Sequence, residues 1–254
     1  MDENVYGEYP NSPVVYAACD SKYFMEHAAP FIYSANDIGK DVHIHICNPT
    51  QEVWTKSIIL NADTDIKVTY TANDIDLSTA GDQQGKVTPE AERTYYACLR
   101  FLYLHDIVIR ATRVLALDID CLLMTKFDFP TTAVGYFPRH PLPGTSGWEQ
   151  KGTQVAAGIF YLEDRAHAVA SQLRNRIYQG PFNWFLDQVA LSEIMDLVPK
   201  NDATFYDNDF MDWDFRKGSA IWTGKGDRKH NNVKYVEAKN KFDRYKSATT
   251  RCWA

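Results

Sequence analysis

The sequence predicts a single α/β domain, residues 1–254, built on a mostly parallel sheet flanked by helices. Two observations carry that expectation. Apolar runs of strand length alternate with helix-like stretches along most of the chain, and one run, Val114-Leu115-Ala116-Leu117, closes on two carboxylates, Asp118 and Asp120. Such alternation marks strand–helix–strand units, whose crossover helices cover both faces of a parallel sheet. The composition, 45% hydrophobic, 24% charged and 13% aromatic over 254 residues, is that of a globular chain long enough for a large core.

The elements follow in order. Val14 to Cys19, bounded by Pro13 and Asp20, reads as a buried strand over 14–19, preceded by an acidic and polar N-terminal extension over 1–13. Residues 21–34 have helical character, ended by Asn36-Asp37 and Gly39. Over 41–47, Val42, Ile44 and Ile46 alternate with His43 and His45, giving a second strand. The two histidines share a face and read as half-exposed strand positions rather than as a metal pair. A helix over 51–60, a strand over 65–70 and a polar loop over 71–86 come next. Thr88-Pro89-Glu90 then opens a strong helix: Thr caps it, Pro takes the first helical position, where no N–H is needed, and the acid suits the positive end of the dipole. On that helix Ala91, Tyr95, Cys98, Leu99 and Leu102 form one apolar stripe, with Arg93 and Arg100 opposite. The strand over 113–117 follows, then strands over 131–137 and 155–162 separated by a Pro- and Gly-rich loop over 140–152. A helix over 187–198, a short strand over 219–222 and a basic helix over 233–246 complete the chain.

Charge and cysteine content narrow the setting. The net charge of −6 makes a whole-protein field for nucleic acid unfavourable. It hides a division: residues 215–254 hold 11 Lys and Arg against 3 Asp and Glu, a local +8, while the remaining 16 basic and 30 acidic residues give −14. A basic C-terminal segment of this kind is either a solvated helix or a surface for an anionic partner, an acceptor or a membrane surface among them. The five cysteines are odd in number, form no Cys-x-x-Cys pair and mostly sit among apolar neighbours, which points to free thiols in a reducing, cytoplasmic setting. Neither a signal-peptide apolar region nor a transmembrane run of about 20 residues is expected.

The chemistry concentrates at Asp118-Ile119-Asp120. The C-terminal edge of the strands is where open α/β sheets bind ligands. Acids two positions apart share a face on a regular strand, so both can reach one ion. Oxygen ligands there suit Mg²⁺ or Mn²⁺, which neutralises the charge of phosphate oxygens. The alternative is an ordinary pair of capping or loop acids.

The segment from Thr94-Tyr95-Tyr96 to Arg100-Phe101, followed by Arg113 to Asp120, resembles the core of GT-A fold glycosyltransferases. The nearest resemblance is to glycosyltransferase family 8, which includes glycogenin-like and bacterial galactosyltransferase-like enzymes. Val14 to Asp20 with Tyr23 is similar to that family's first strand and nucleotide-contacting turn. Val155-Ala156-Ala157-Gly158 is similar to its Asn-Ala-Gly strand, Trp184 to Gln188 to its Asp-Gln helix start, and Ile221 to Gly226 to its C-terminal glycine–lysine segment.

The resemblance implies a Rossmann-like GT-A domain with a DxD motif at a strand end. It implies transfer of a hexose from a nucleotide-diphosphate sugar, usually a UDP-sugar, to an acceptor hydroxyl on a glycan, lipid-linked or protein acceptor. By the same resemblance Mn²⁺ or Mg²⁺ sits on Asp118 and Asp120, and Ala18 and Ile119 meet the nucleotide through their backbones. Asp20 and Tyr23 hold the nucleoside, and Arg100 reaches the diphosphate or sugar. Gly158 lets the backbone approach the ligand, catalytic Asp187 faces the sugar and acceptor with Gln188 beside it, and Gly224 and Lys225 close over the diphosphate.

Three positions depart from the pattern. Ile221 stands where the family has a metal-binding His, leaving His230 nearby at a different spacing. Asp227 stands where it has a lysine, so Lys225 or Lys229 must serve. Ala156 replaces an Asn. Two other readings use the same residues. Leu115 to Leu123 also resembles the first motif of haloacid dehalogenase-like phosphatases, with Asp118 as nucleophile and Mg²⁺ beside it. A nucleotide-sugar binding module without catalysis is the third. The aromatic segment over 206–214 and the loop over 140–152 with Trp148 are candidates for the acceptor side.

Overall fold

Alternate residues of the first long strand face two different cores. In the computed structural model, which describes residues 4–77, 86–139 and 153–243, the chain runs β1 (Tyr6–Gly7), β2 (Val14–Asp20), α1 (Ser21–Ile38), β3 (Val42–Cys47), α2 (Gln51–Ala62), β4 (Val68–Asn73) and α3 (Pro89–Ala111). It continues with β5 (Arg113–Leu117), β6 (Cys121–Leu123), β7 (Val134–Pro138), β8 (Val155–Glu163), α4 (His167–Gln179) and α5 (Leu186–Met195). The last elements are β9 (Ala203–Phe205), β10 (Met211–Asp212), β11 (Ile221–Thr223), α6 (Arg228–Asn231) and α7 (Val233–Phe242).

Eight strands form one sheet in the order β1-β4-β3-β2-β5-β8-β7-β9. The centre, β4-β3-β2-β5, is parallel, as is β7 with β9, whereas β8 runs antiparallel between β5 and β7 and β1 antiparallel on β4. A smaller sheet, β10-β11-β6, lies beyond the end of β5. Val15, Ala17 and Cys19 of β2 pack into the core shared with α1, and Val14 and Tyr16 into the core shared with α3. This is the two-step alternation of a strand covered on both faces.

Local signals set the boundaries. Asp20 caps α1 by accepting from Tyr23 N at 2.7 Å, and Gly39 ends that helix at φ +69°. Thr88 caps α3 by accepting from Ala91 N at 3.1 Å, with Pro89 at the first helical position, as the sequence predicts. The expected strand over 65–70 lies three residues later, and the expected helix over 187–198 stops at Met195. Short β6, short β10 and helix α4 were not foreseen.

His43 and His45, expected to be half-exposed, are fully buried, because α3 covers that face of the sheet. They are satisfied along β4: His43 bonds Thr69 and Thr71 Oγ1 at 2.9 Å each, and His45 bonds Thr71 Oγ1 and Asn73 Oδ1 at 3.0 Å each. The His45 ring stacks on Tyr103 at 3.7 Å. Cys19, Cys47, Cys98 and Cys121 are all buried. Among the described residues no helix is long and apolar enough to cross a membrane. The loop over 140–152 with Trp148, Cys252, and the basic segment beyond residue 243, Lys246 included, lie outside the described residues.

Candidate active site

Strand β5 ends at Leu117, so Asp118-Ile119-Asp120 is a turn between the two sheets rather than an extension of the strand. Cys121 N donates to Asp118 O at 3.0 Å to close it, and Asp118 N donates to Gly158 O at 3.3 Å. The expected shared strand face is therefore lost. Ile119 drops its side chain into the α1-side core, and the two carboxylates take different partners.

Asp118 pairs with Arg100. The guanidinium also donates from Nε to Ala157 O at 3.1 Å and reaches Asp187 Oδ2 from Nη2 at 3.5 Å. Arg100 is buried, contrary to its placement opposite the apolar stripe. Helix α3 is enclosed by the sheet, α4 and α5, so its second face is interior too. Burial works against the charge of Arg100, but Asp118 and Asp187 outweigh it and hold the pKa above the ordinary arginine range. Asp187, in the first turn of α5, accepts from Gln188 N at 2.8 Å. Burial raises its pKa, with Arg100 pulling it back down. The Gln188 Oε1 is buried and has no hydrogen-bond partner among the described residues, an acceptor left open beside Asp187.

Asp120 pairs with Lys229, Oδ2 to Nζ at 3.0 Å, with side-chain exposures of 11% and 13%. The same ammonium donates to Tyr23 Oη at 3.1 Å and lies 4.8 Å from the centre of that ring. Burial, then Asp118, pushes Asp120 upward in pKa, and Lys229 pulls it back down. Lys229 itself is held charged, with its pKa raised by Asp120 against the cost of burial.

The turn bearing Lys229 leaves β11 through Gly224 and bends at Gly226, φ +60°. A Cβ on Gly224 would stand 2.6 Å from Lys229 Cβ and 2.8 Å from the Tyr235 ring. Gly224 thus makes room for Lys229 and Tyr235. Lys225, next in the chain, is exposed as a residue, with Nζ 5.9 Å from the centre of the Trp213 ring; burial and Arg139 lower its pKa, and Asp118 and Asp187 draw it upward. Arg139, which the sequence reading overlooked, follows β7, and its charge also acts on Asp187. Its signal was its position: it comes directly after a strand that runs the same way as β5, hence at the same edge. At that edge also lie Asp20, Ala18 near the end of β2, and Gly158, where a Cβ would meet Asp118 Oδ2 at 3.1 Å.

The donor set does not suit a divalent cation. Each of Asp118 and Asp120 already has a cationic side chain as partner, and Ile221, at the position where a third ligand was sought, is buried and apolar. Among the described residues no three His, Cys, Asp or Glu side chains are grouped to hold a metal.

Comparison with solved structures identifies the architecture. The chain superposes on the WbbM bifunctional glycosyltransferase with a TM-score of 0.57 at 12% identity, over 91% of this chain and 52% of that one. It superposes on the galactosyltransferase LgtC with a TM-score of 0.56 at 13% identity, over 89% and 95% of the two chains. For mouse xyloside xylosyltransferase 1 the TM-score is 0.54 at 10% identity, over 85% and 99%. The fold is that of GT-A glycosyltransferases. The carboxylates lie at the C-terminal edge of β5, beside the ends of β2 and β7, the edge where open α/β sheets bind ligands. The chain spans about half of WbbM. No protein-family model matches the sequence, and no curated protein matches it.

Proposed function

We propose that this GT-A chain transfers a hexose from a nucleotide-diphosphate sugar, a UDP-sugar, to an acceptor hydroxyl. One observation carries the reading: Arg100 joins Asp118 to Asp187 at the sheet edge, the charges of Lys225 and Arg139 act on that pair, and Lys229 holds the neighbouring Asp120. Buried acids facing a cluster of cations suit a reaction in which an anionic leaving group departs from a neutral sugar. The bond from the anomeric carbon to the phosphate oxygen breaks and its electron pair leaves with the diphosphate. A bond from the acceptor oxygen forms, and the acceptor proton passes to a basic oxygen in the site.

Asp187 is the group proposed to meet the sugar or acceptor. The Gln188 amide carbonyl beside it supplies an unmet acceptor for a sugar hydroxyl. Tyr23, 38% exposed at the end of the cluster, offers a ring face to the base. The test is nucleotide release from UDP-glucose, UDP-galactose and their N-acetyl forms by purified protein, with and without sugar acceptors. Release of UDP that Asp187→Asn lowers by roughly 10²-fold supports the reading. Absence of UDP release, together with no thermal stabilisation by UDP, overturns it.

A further inference from the structure

We infer that Lys229 does the work of a divalent cation in this site: its ammonium bridges Asp120 and the diphosphate of the donor, so that the nucleotide-sugar binds without metal. The inference rests on the proposed nucleotide-sugar reading and deepens it. Lys229 is a built feature rather than a surface lysine. Nζ is held by Asp120 at 3.0 Å and by Tyr23 Oη at 3.1 Å, and the stem runs through the space that Gly224 leaves by lacking a Cβ. The Tyr235 hydroxyl, one helix further on, donates to Asp120 O and fixes the backbone of the acid relative to the turn that carries the lysine.

Charge points the same way. Asp118, Asp120 and Asp187 face Arg100, Arg139, Lys225 and Lys229, so the cluster is net positive before any ligand arrives. Two acids that hold a dication are ordinarily under-compensated, and the ion supplies the missing charge. Here Arg100 supplies it at Asp118 and Lys229 at Asp120. A dication would have to displace both side chains, and the buried Ile221 gives it no third protein ligand. A diphosphate finds what it needs from the lysine directly, as a point charge with three donors, of which Asp120 and Tyr23 take two.

The experiment is calorimetric binding of UDP to the purified full chain, once in EDTA and once in Mn²⁺. The expected result is equal affinity in both. Lys229→Ala is expected to weaken UDP binding in EDTA by roughly tenfold or more, and Lys229→Arg to keep most of it. Binding that appears only with Mn²⁺ overturns the inference and leaves the nucleotide-sugar reading standing. Unchanged affinity of folded Lys229→Ala in EDTA also overturns it. Failure of UDP to bind in either buffer removes the nucleotide-sugar reading itself, and the inference with it.

Discussion

The Tyr235 hydroxyl donates to the backbone carbonyl of Asp120, tying the C-terminal helix to the turn between the two sheets. Tyr235 is wholly buried, and burial lifts its pKa far above the usual phenol range, so it is a donor at every practical pH. Tyr235→Phe leaves that carbonyl without its partner. The expected cost is about 1–3 kcal/mol, read from guanidinium unfolding. Because the same bond sets the distance from Asp120 to the lysine turn, UDP affinity is expected to fall as well. A variant that is less stable but binds UDP normally would confine the bond to a structural role.

Arg100 is the second clamp. Arg100→Met strands Asp187, whose side chain is 9% exposed, and Asp118, whose side chain is 37% exposed and screened by solvent. The expected destabilisation lies at the lower end of the about 3–5 kcal/mol that loss of one partner of a buried pair costs. Arg100→Lys keeps the charge but cannot bond Ala157 O, Asp118 and Asp187 together, so turnover is expected to drop more than stability. Comparing melting temperature with the rate of UDP release separates the two effects.

Gly158 and Gly224 make a matched pair of tests. Alanine at 158 brings a Cβ to 3.1 Å from Asp118 Oδ2, a contact that a small rotation of the carboxylate relieves. The expected result is near-normal stability with reduced turnover. Alanine at 224 meets Lys229 Cβ at 2.6 Å and the Tyr235 ring at 2.8 Å, neither of which is a free side-chain end. Gly224→Ala is therefore expected to lower both the melting temperature and UDP affinity.

The buried histidines set an acid limit. Burial depresses His45 to about 3 and His27 to about 2, and His43 lies well below its ordinary value. Folded, all three are neutral; unfolded, they take up protons below about 6.5. Their contribution is complete above that pH and is lost progressively as the pH falls toward the folded values. At pH 5 each histidine costs up to about 2 kcal/mol by linkage. Asp120 and Asp187, raised in the folded protein, oppose this and make the decline shallower. Urea unfolding at pH 7.5 and 5 is expected to show a clear loss of stability at the lower pH, and constant stability across that range would refute the account.

What the sequence made legible was what depends on near neighbours in the chain. The cap Thr88-Pro89, the strand ending at Leu117 and the parallel centre could all be read from periodicity and end signals. Arg100 was misjudged in its surroundings because an apolar stripe describes a helix with one dry face, and α3 has two. The histidines were misjudged for the same reason on a strand. Asp118 and Asp120 were expected on one face because two-residue strand periodicity was applied to them, whereas past Leu117 the chain turns into β6. Lys225 was favoured over Lys229 because it adjoins the glycine. The bend at Gly226 and the single turn of α6 carry the chain back, and only their geometry shows that the later lysine reaches Asp120.

The segment from Thr223 to Lys229 therefore works as a ruler. One added residue lengthens the path by about 3.8 Å, more than the whole 3.0 Å between Lys229 Nζ and Asp120 Oδ2. Substitutions at exposed Asp227 or Arg228 leave that length unchanged, whereas an insertion or deletion puts the ammonium out of register with its acid. Among descendants of this chain, the spacing between this glycine and lysine is expected to drift more slowly than the residues that fill it.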